Sequence, residues 1–179
     1  DSAAPIKGSE GQISGVVIVF RDITEKKIQR KKIEYLSFHD TLTGLYNRHF
    51  FEEEINRLDS ERNLPISIII GDVNDLKLTN DVFGHEYGDK LLKKASEIFL
   101  KVCRKDDIIA RWGGDEFIIL LPKTDINEAN KIIERIKNNF SKEKIKSIKG
   151  SISMGSSAKI SLEDNIDDII IKAEKNMYN

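Results

Sequence analysis

Three carboxylates in this sequence stand where they could do chemistry. Two are adjacent, in Arg111-Trp112-Gly113-Gly114-Asp115-Glu116-Phe117, and the third, Asp72, follows the apolar run Ile66–Ile70. Acids beside a Gly-Gly pair sit on a tight turn with no bulky neighbour on the glycine side, which suits a hard cation that carries phosphates. Asp72 falls at the carboxyl end of a buried strand, the edge where ligands collect in open α/β sheets. Each acid also has a plainer reading. Asp115 and Glu116 could be solvated residues at a hairpin tip, and Asp72 could cap a helix over 75–81.

The elements around these acids can be read from their apolar spacing. Ile108–Ala110 and Phe117–Leu121 flank the glycines and predict a β-hairpin whose turn tolerates positive φ. Ile66–Ile70, interrupted only by Ser67, predicts a strand buried on both faces. Phe51, Ile55 and Leu58 share a helical face in a helix starting near Asn47. So do Leu91, Ala95, Ile98 and Val102, and again Ala129, Ile132, Ile133, Ile136 and Phe140. A strand is expected over 151–157, and Ile166, Ile169, Ile170 and Ala173 mark a last helix. Strands alternating with helices imply an α/β domain with a central sheet covered by helices. Between the buried strand and the long helix lie Lys77, Asn80-Asp81, Gly84-His85 and Gly88-Asp89. This polar, glycine-punctuated segment predicts a nucleotide-binding loop. An Asn amide and an Asp carboxylate can read the edge of a guanine, though Gly88-Asp89 could also be only a turn and cap.

Composition narrows the function classes. The 179 residues carry 33% charged and 39% hydrophobic side chains with a formal net charge of -1, which predicts a soluble globular domain and offers no basic field for nucleic acid. No apolar run reaches membrane-spanning length. The single cysteine, Cys103, rules out an internal disulfide, and the expected setting is cytoplasmic. The chain begins at Asp1 without a methionine, so it is expected to be part of a longer protein.

Several blocks then agree in order and spacing with one family. Asp40-Thr41-Leu42-Thr43-Gly44-Leu45-Tyr46-Asn47-Arg48, the segment Asp72–Asp81, Phe83-Gly84-His85 through Gly88-Asp89, Gly113–Phe117, Ser151-Ile152-Ser153-Met154-Gly155 and the helix ending Ala173-Glu174 to Tyr178 together resemble a GGDEF domain of the diguanylate cyclases over residues 38–179. The resemblance implies an α+β, palm-like and nucleotidyl-cyclase-like fold with a mostly antiparallel sheet flanked by helices. It implies condensation of two GTP into cyclic di-GMP by a homodimer in which each domain holds one GTP. Asp72, Asp115 and the Val73 carbonyl would bind Mg²⁺, with Mn²⁺ as a substitute. Glu116 would assist the metal or take the proton from the ribose 3′-hydroxyl, and Lys77 would neutralise charge on the transferring phosphoryl. Asn80, His85 and Asp89 would hold the base and ribose. Arg104-Lys105-Asp106-Asp107 stands at the spacing of the family's inhibitory product site, with Arg104 and Asp107 on guanine and Arg111 near phosphate; a charged turn is the plainer alternative.

Some features depart from the family or lie outside its core. Asn74 and Leu76 occupy positions where many relatives carry Asp and Phe, and a Lys and an Arg that the family places after the final helix would fall past Asn179. Upstream, Ala4-Pro5-Ile6 and residues 15–25 (Gly15 to Glu25) resemble the last strands and exit motif of PAS sensor domains. Residues 1–23 are therefore expected to be a PAS tail with a turn at Gly8–Gly11, and 24–37 a connecting signalling helix capped by Thr24. The competing function is a catalytically silent domain that binds GTP or cyclic di-GMP.

Overall fold

The computed structural model describes residues 2–7, 9 and 12–178. The chain divides into two compact units, Asp1–Tyr35 and Leu36–Asn179. The first holds an antiparallel hairpin of β1 (Ser2–Lys7) and β2 (Ile13–Val19), in which Ser2 pairs with Val19. Gly8, Glu10 and Gly11 of the expected turn lie outside the described residues. Helix α1 (Thr24–Phe38) has no buried residue. Thr24 is its first helical residue rather than its cap; Asp22 Oδ1 accepts the Thr24 N–H at 2.8 Å instead.

The second unit is built on a five-stranded sheet of β3 (Tyr46–Asn47), β4 (Ile66–Val73), β5 (Ile108–Gly113), β6 (Glu116–Leu121) and β9 (Ile152–Lys159), ordered β3-β5-β6-β4-β9; β7 (Lys144–Ile145) and β8 (Ile148–Lys149) form a separate short hairpin. Only the β3–β5 pair is parallel. Alternation along the strands sends side chains to opposite faces, and here both faces are buried. Ile69, Val73, Phe117 and Ile119 pack beneath α4 (His85–Val102) and α5 (Ile126–Phe140), while Ile68, Ile70, Ile118 and Leu120 pack beneath α2 (Arg48–Leu58) and α6 (Ile166–Met177). Phe99 of α4 meets Phe117 edge-on at 5.0 Å. This explains why β4 reads as a continuous apolar run rather than an alternating one. Asn47 begins α2 as expected, with its Oδ1 accepting the Phe50 N–H at 3.0 Å.

Two features bind the sheet's outer strand to its helices. A Cβ at Gly155 would fall 2.6 Å from the Asn176 carbonyl carbon, so only glycine lets α6 lie directly on β9. At the far end of β9, Lys159 is nearly fully buried, and its Nζ donates to Asp59 Oδ2 at 3.0 Å and to the Asp164 carbonyl at 2.6 Å. Among the described residues, no helix is long and apolar enough to cross a membrane.

Lys159→Ala leaves the Asp59 carboxylate without its counter-charge. It is expected to lower stability by about 3 kcal/mol, read as a shift of the urea midpoint at unchanged slope. A loss below about 0.5 kcal/mol would class the pair with exposed ion pairs instead.

Candidate active site

The three acids converge because two antiparallel strands end together. β4 and β6 pair in a register that places Asp72 directly opposite Glu116, and the Val73 N–H donates to the Asp115 carbonyl at 3.0 Å. Asp72 therefore lies inside the strand and does not cap a helix. The hairpin turn is one residue later than the glycine pair suggests. Gly113 still pairs with Glu116, so the two turn residues are Gly114 and Asp115, and Gly114 takes the positive φ of 51°. Nothing approaches within 4 Å of where a Cβ would sit on either glycine, so the glycine side of the turn is open, while Asp115 and Glu116 are half-buried. Trp112 forms a bulge just before the turn and packs edge-on against the buried Phe51 at 5.7 Å, with the Arg48 guanidinium 4.3 Å above its ring. It packs behind the turn.

Asp72 is half-buried, and burial raises its pKa, with the Asp115 and Glu116 charges adding to the rise. A groove of about 710 Å³ opens beside these acids and is lined by Asp72, Val73, Lys77, Asp81, Asp115 and Ser151, among others. The donors fit a hard divalent cation. They are anionic carboxylate oxygens and a neutral carbonyl oxygen, the hard donors that magnesium prefers. No cluster of three or more His, Cys, Asp or Glu side chains in metal-holding geometry occurs among the described residues. A cation here could be held by the Asp72 and Asp115 carboxylates and the Val73 carbonyl, which would leave positions for water and phosphate oxygens.

The expected nucleotide loop is a helical hairpin. α3 (Leu76–Phe83) and α4 meet at a single corner residue, Gly84, at φ 88°. Asp75, at φ 62°, takes the N-cap position of α3. Asn80 lies on α3, His85 and Asp89 on the first turns of α4, and Gly88 and Asp89 are helical rather than a cap. Lys77 reaches the groove, whereas Asn80, His85 and Asp89 stand outside its lining, along the neighbouring α3–α4 edge. Asn80 Oδ1 is buried without a hydrogen-bond partner.

Arg111 is placed differently from the sequence expectation. Its Nε and Nη2 donate to the Gly114 carbonyl at 3.0 and 2.7 Å, and its Nη1 lies 3.3 Å from both Asp40 oxygens. It is therefore engaged at the turn, near the end of β5 opposite Arg104 and Asp107. Those two close a turn on each other: Asp107 Oδ2 accepts the Arg104 N–H at 2.6 Å, and Asp107 is only 7% exposed. Burial raises the Asp107 pKa despite that hydrogen bond. Arg104 and Asp107 line a cavity of about 450 Å³ together with His39, Tyr46 and Cys103. Cys103 caps the end of α4, and burial raises its thiol to about 12.

Two residues gain roles that spacing alone could not supply. Asn74 Nδ2 donates to Ser151 Oγ at 2.8 Å, its Oδ1 accepts from Ser153 Oγ at 3.0 Å, and its backbone N–H donates to the Ser151 carbonyl. It ties the end of β4 to the start of β9 behind the acids. Asp40 accepts from the Thr43 N–H at 2.9 Å and the Thr43 hydroxyl at 2.6 Å, besides Arg111. Side chains that bridge elements far apart in sequence leave no local periodicity to find.

Comparison with known proteins agrees with this geometry. The family description "Diguanylate cyclase, GGDEF domain" matches residues 37–179. The chain belongs to that family. It is 30% identical to the Escherichia coli "Diguanylate cyclase DgcM" over 91% of this chain and 40% of that protein. It is 35% identical to the E. coli "Probable diguanylate cyclase DgcE" over 75% of this chain and 12% of that protein. The chain thus spans well under half the length of these curated relatives. Among solved structures, the coiled coil and GGDEF domain of DgcB from Caulobacter crescentus, in complex with c-di-GMP, superposes with a TM-score of 0.79. That match covers 87% of this chain and 86% of that one at 21% identity, which bears on the GGDEF fold alone.

Asp40 supplies a test of the turn's anchorage. Burial opposes its ionisation, but the Thr43 hydrogen bonds and the Arg111 charge outweigh it and lower its pKa. A depressed carboxyl contributes stability above its unfolded pKa and loses it as pH falls through the folded value. Asp40→Asn is expected to cost about 1–2 kcal/mol near neutrality. The gap to wild type should close on acidification below the ordinary carboxylate range, followed by urea unfolding across pH. A gap independent of pH would contradict the ion pair.

Proposed function

We propose that the second unit is the catalytic domain of a diguanylate cyclase that condenses two GTP into cyclic di-GMP as a homodimer. The observation that carries this reading is that Asp72 and Asp115 line one open groove, with Glu116 directly across the strand pair from Asp72. Asp72, Asp115 and the Val73 carbonyl would hold Mg²⁺, or Mn²⁺ in its place. The bound ion would neutralise triphosphate oxygens and lower the pKa of the attacking hydroxyl. Glu116 would support that site or accept the ribose 3′-hydroxyl proton. Lys77 would offset charge on the transferring phosphoryl, since phosphoryl transfer depends on positioning and charge neutralisation more than on covalent help. Asn80, His85 and Asp89 would hold base and ribose along the α3–α4 edge.

In each half-reaction a 3′-oxygen to α-phosphorus bond forms, the α–β bridging bond breaks, and pyrophosphate leaves. One GTP per domain requires two domains face to face. Control would come from an upstream PAS domain ending at residues 1–23 and acting through the connecting helix 24–37. Product would inhibit by binding at the Arg104–Asp107 end of β5. The cavity there supports that role for Arg104, while the buried, hydrogen-bonded Asp107 limits its own share. Arg111 is not part of that proposal, because its guanidinium is held at the turn. A GTP-dependent enzyme of this kind would work in the cytoplasm.

Incubating the dimeric protein with GTP and Mg²⁺ should yield cyclic di-GMP and two pyrophosphates per product. Asp115→Ala should cut the rate by about a hundredfold or more. A verified dimer that binds cyclic di-GMP in an Arg104-dependent way yet makes none would contradict catalysis and identify a binding module.

A further inference from the structure

Among the described residues that line the acid groove, Ser151 is the one that carries a hydroxyl. It stands just ahead of β9 and is bound twice to Asn74, which follows β4. The Ser151 carbonyl accepts the Asn74 N–H at 3.0 Å, and its Oγ accepts from Asn74 Nδ2 at 2.8 Å. The same amide is engaged at its other end, where Ser153 Oγ donates to Asn74 Oδ1 at 3.0 Å. The donor order therefore runs from Ser153 through Asn74 to Ser151. A hydroxyl has a single proton to give and two lone pairs to receive with. Asn74 occupies a lone pair of Ser151 Oγ, so the Ser151 proton is left for another acceptor. The groove that this exposed serine borders also holds Asp72, Asp115 and Lys77.

We infer that Ser151 is a further binding residue of this site, donating its hydroxyl proton to an oxygen of the bound triphosphate, and that Asn74 is the positioning residue that leaves this proton free. The inference rests on the proposed reading of the groove as a site for GTP and a divalent cation. A triphosphate offers many acceptors and no donors when ionised. The acids of the groove can meet it only through a cation, whereas Lys77 and Ser151 can meet it directly. A hydrogen bond to a charged oxygen is stronger than one between neutral groups. The residue type at position 74 decides whether Ser151 can make it. An amide donates as well as accepts, but a carboxylate only accepts. With a carboxylate at position 74, both serines would turn their protons onto it, and the groove would lose the serine donor.

The test is a double-variant cycle on the whole chain, read by calorimetry. The probes are 3′-deoxy-GTP with Mg²⁺, which lacks the attacking hydroxyl and so is not consumed, and Mn²⁺ without nucleotide. Ser151→Ala should weaken 3′-deoxy-GTP about tenfold while leaving Mn²⁺ binding within about twofold of wild type. Ser151→Thr keeps the hydroxyl and should bind the nucleotide within about twofold of wild type. Asn74→Asp changes affinity through its charge as well, so the coupling is what counts. In the Asn74→Asp background, Ser151→Ala should change 3′-deoxy-GTP affinity by less than about twofold. A Ser151→Ala protein with wild-type nucleotide affinity would overturn the inference. So would equal losses for nucleotide and Mn²⁺, which would mean that the serine only holds the acids in place. The same tenfold loss in both backgrounds would overturn the role of Asn74. If wild type binds no 3′-deoxy-GTP, the reading of the groove itself falls, and the inference with it.

Discussion

The turn that carries Asp115 is held from one side by a single guanidinium. Arg111 donates twice to the Gly114 carbonyl and sits against Asp40, which Thr43 orients in turn. From the other side, the Val73 N–H takes the Asp115 carbonyl. A two-residue turn carrying Asp115 next to Glu116 and Asp72 would otherwise be free to splay as their charges repel. With both carbonyls of the turn engaged, Asp115 is fixed relative to β4, and so relative to Asp72. Charge-assisted hydrogen bonds to a backbone carbonyl are stronger than neutral ones. Arg111 and Asp40 are also largely shielded from water, which limits screening by salt.

The rest of the domain serves this alignment in layers. β4 is fully buried along most of its length because helices cover both faces of the sheet, so its end cannot shift without disturbing two cores. Asn74 extends the clamp sideways by joining the last turn of β4 to Ser151 and Ser153 at the start of β9. A neutral amide here both donates and accepts. It adds no negative charge to a rim where Asp72, Asp75, Asp81 and Asp115 already gather. The departure from the Asp that many relatives carry therefore has a local rationale.

Much of this was legible in the sequence, and what was missed shares a physical cause. The buried strand, the hairpin and the amphipathic faces of α4 and α5 follow from periodicities of two and 3.6, which are local. The acids could be named because they stand at predicted strand ends and in a motif of known spacing. The α3–α4 segment was expected as a loop, since Gly84, His85, Gly88 and Asp89 are turn-rich by composition. Tertiary packing overrode that preference and reduced the loop to one glycine. Arg111 was expected near a phosphate of the product site because the family resemblance implied it. Successive residues along a strand move apart by about 3.3 Å each, and contacts at the far end of β5 claimed it. The partnerships of Asn74, Asp40 and Lys159 join residues separated by 71 to 100 positions, or nearly so, and no local pattern announces them.

Arg111 is proposed to act through the turn and not through bound product. The most direct measurement is the time course of cyclic di-GMP formation by Arg111→Ala beside wild type, with initial rates separated from the later phase in which product accumulates. If Arg111 fastens the turn, the initial rate falls between about tenfold and a hundredfold, because misplaced catalytic groups lose that much, and added product still inhibits what remains. An unchanged initial rate with inhibition relieved would contradict the clamp and return Arg111 to the product site.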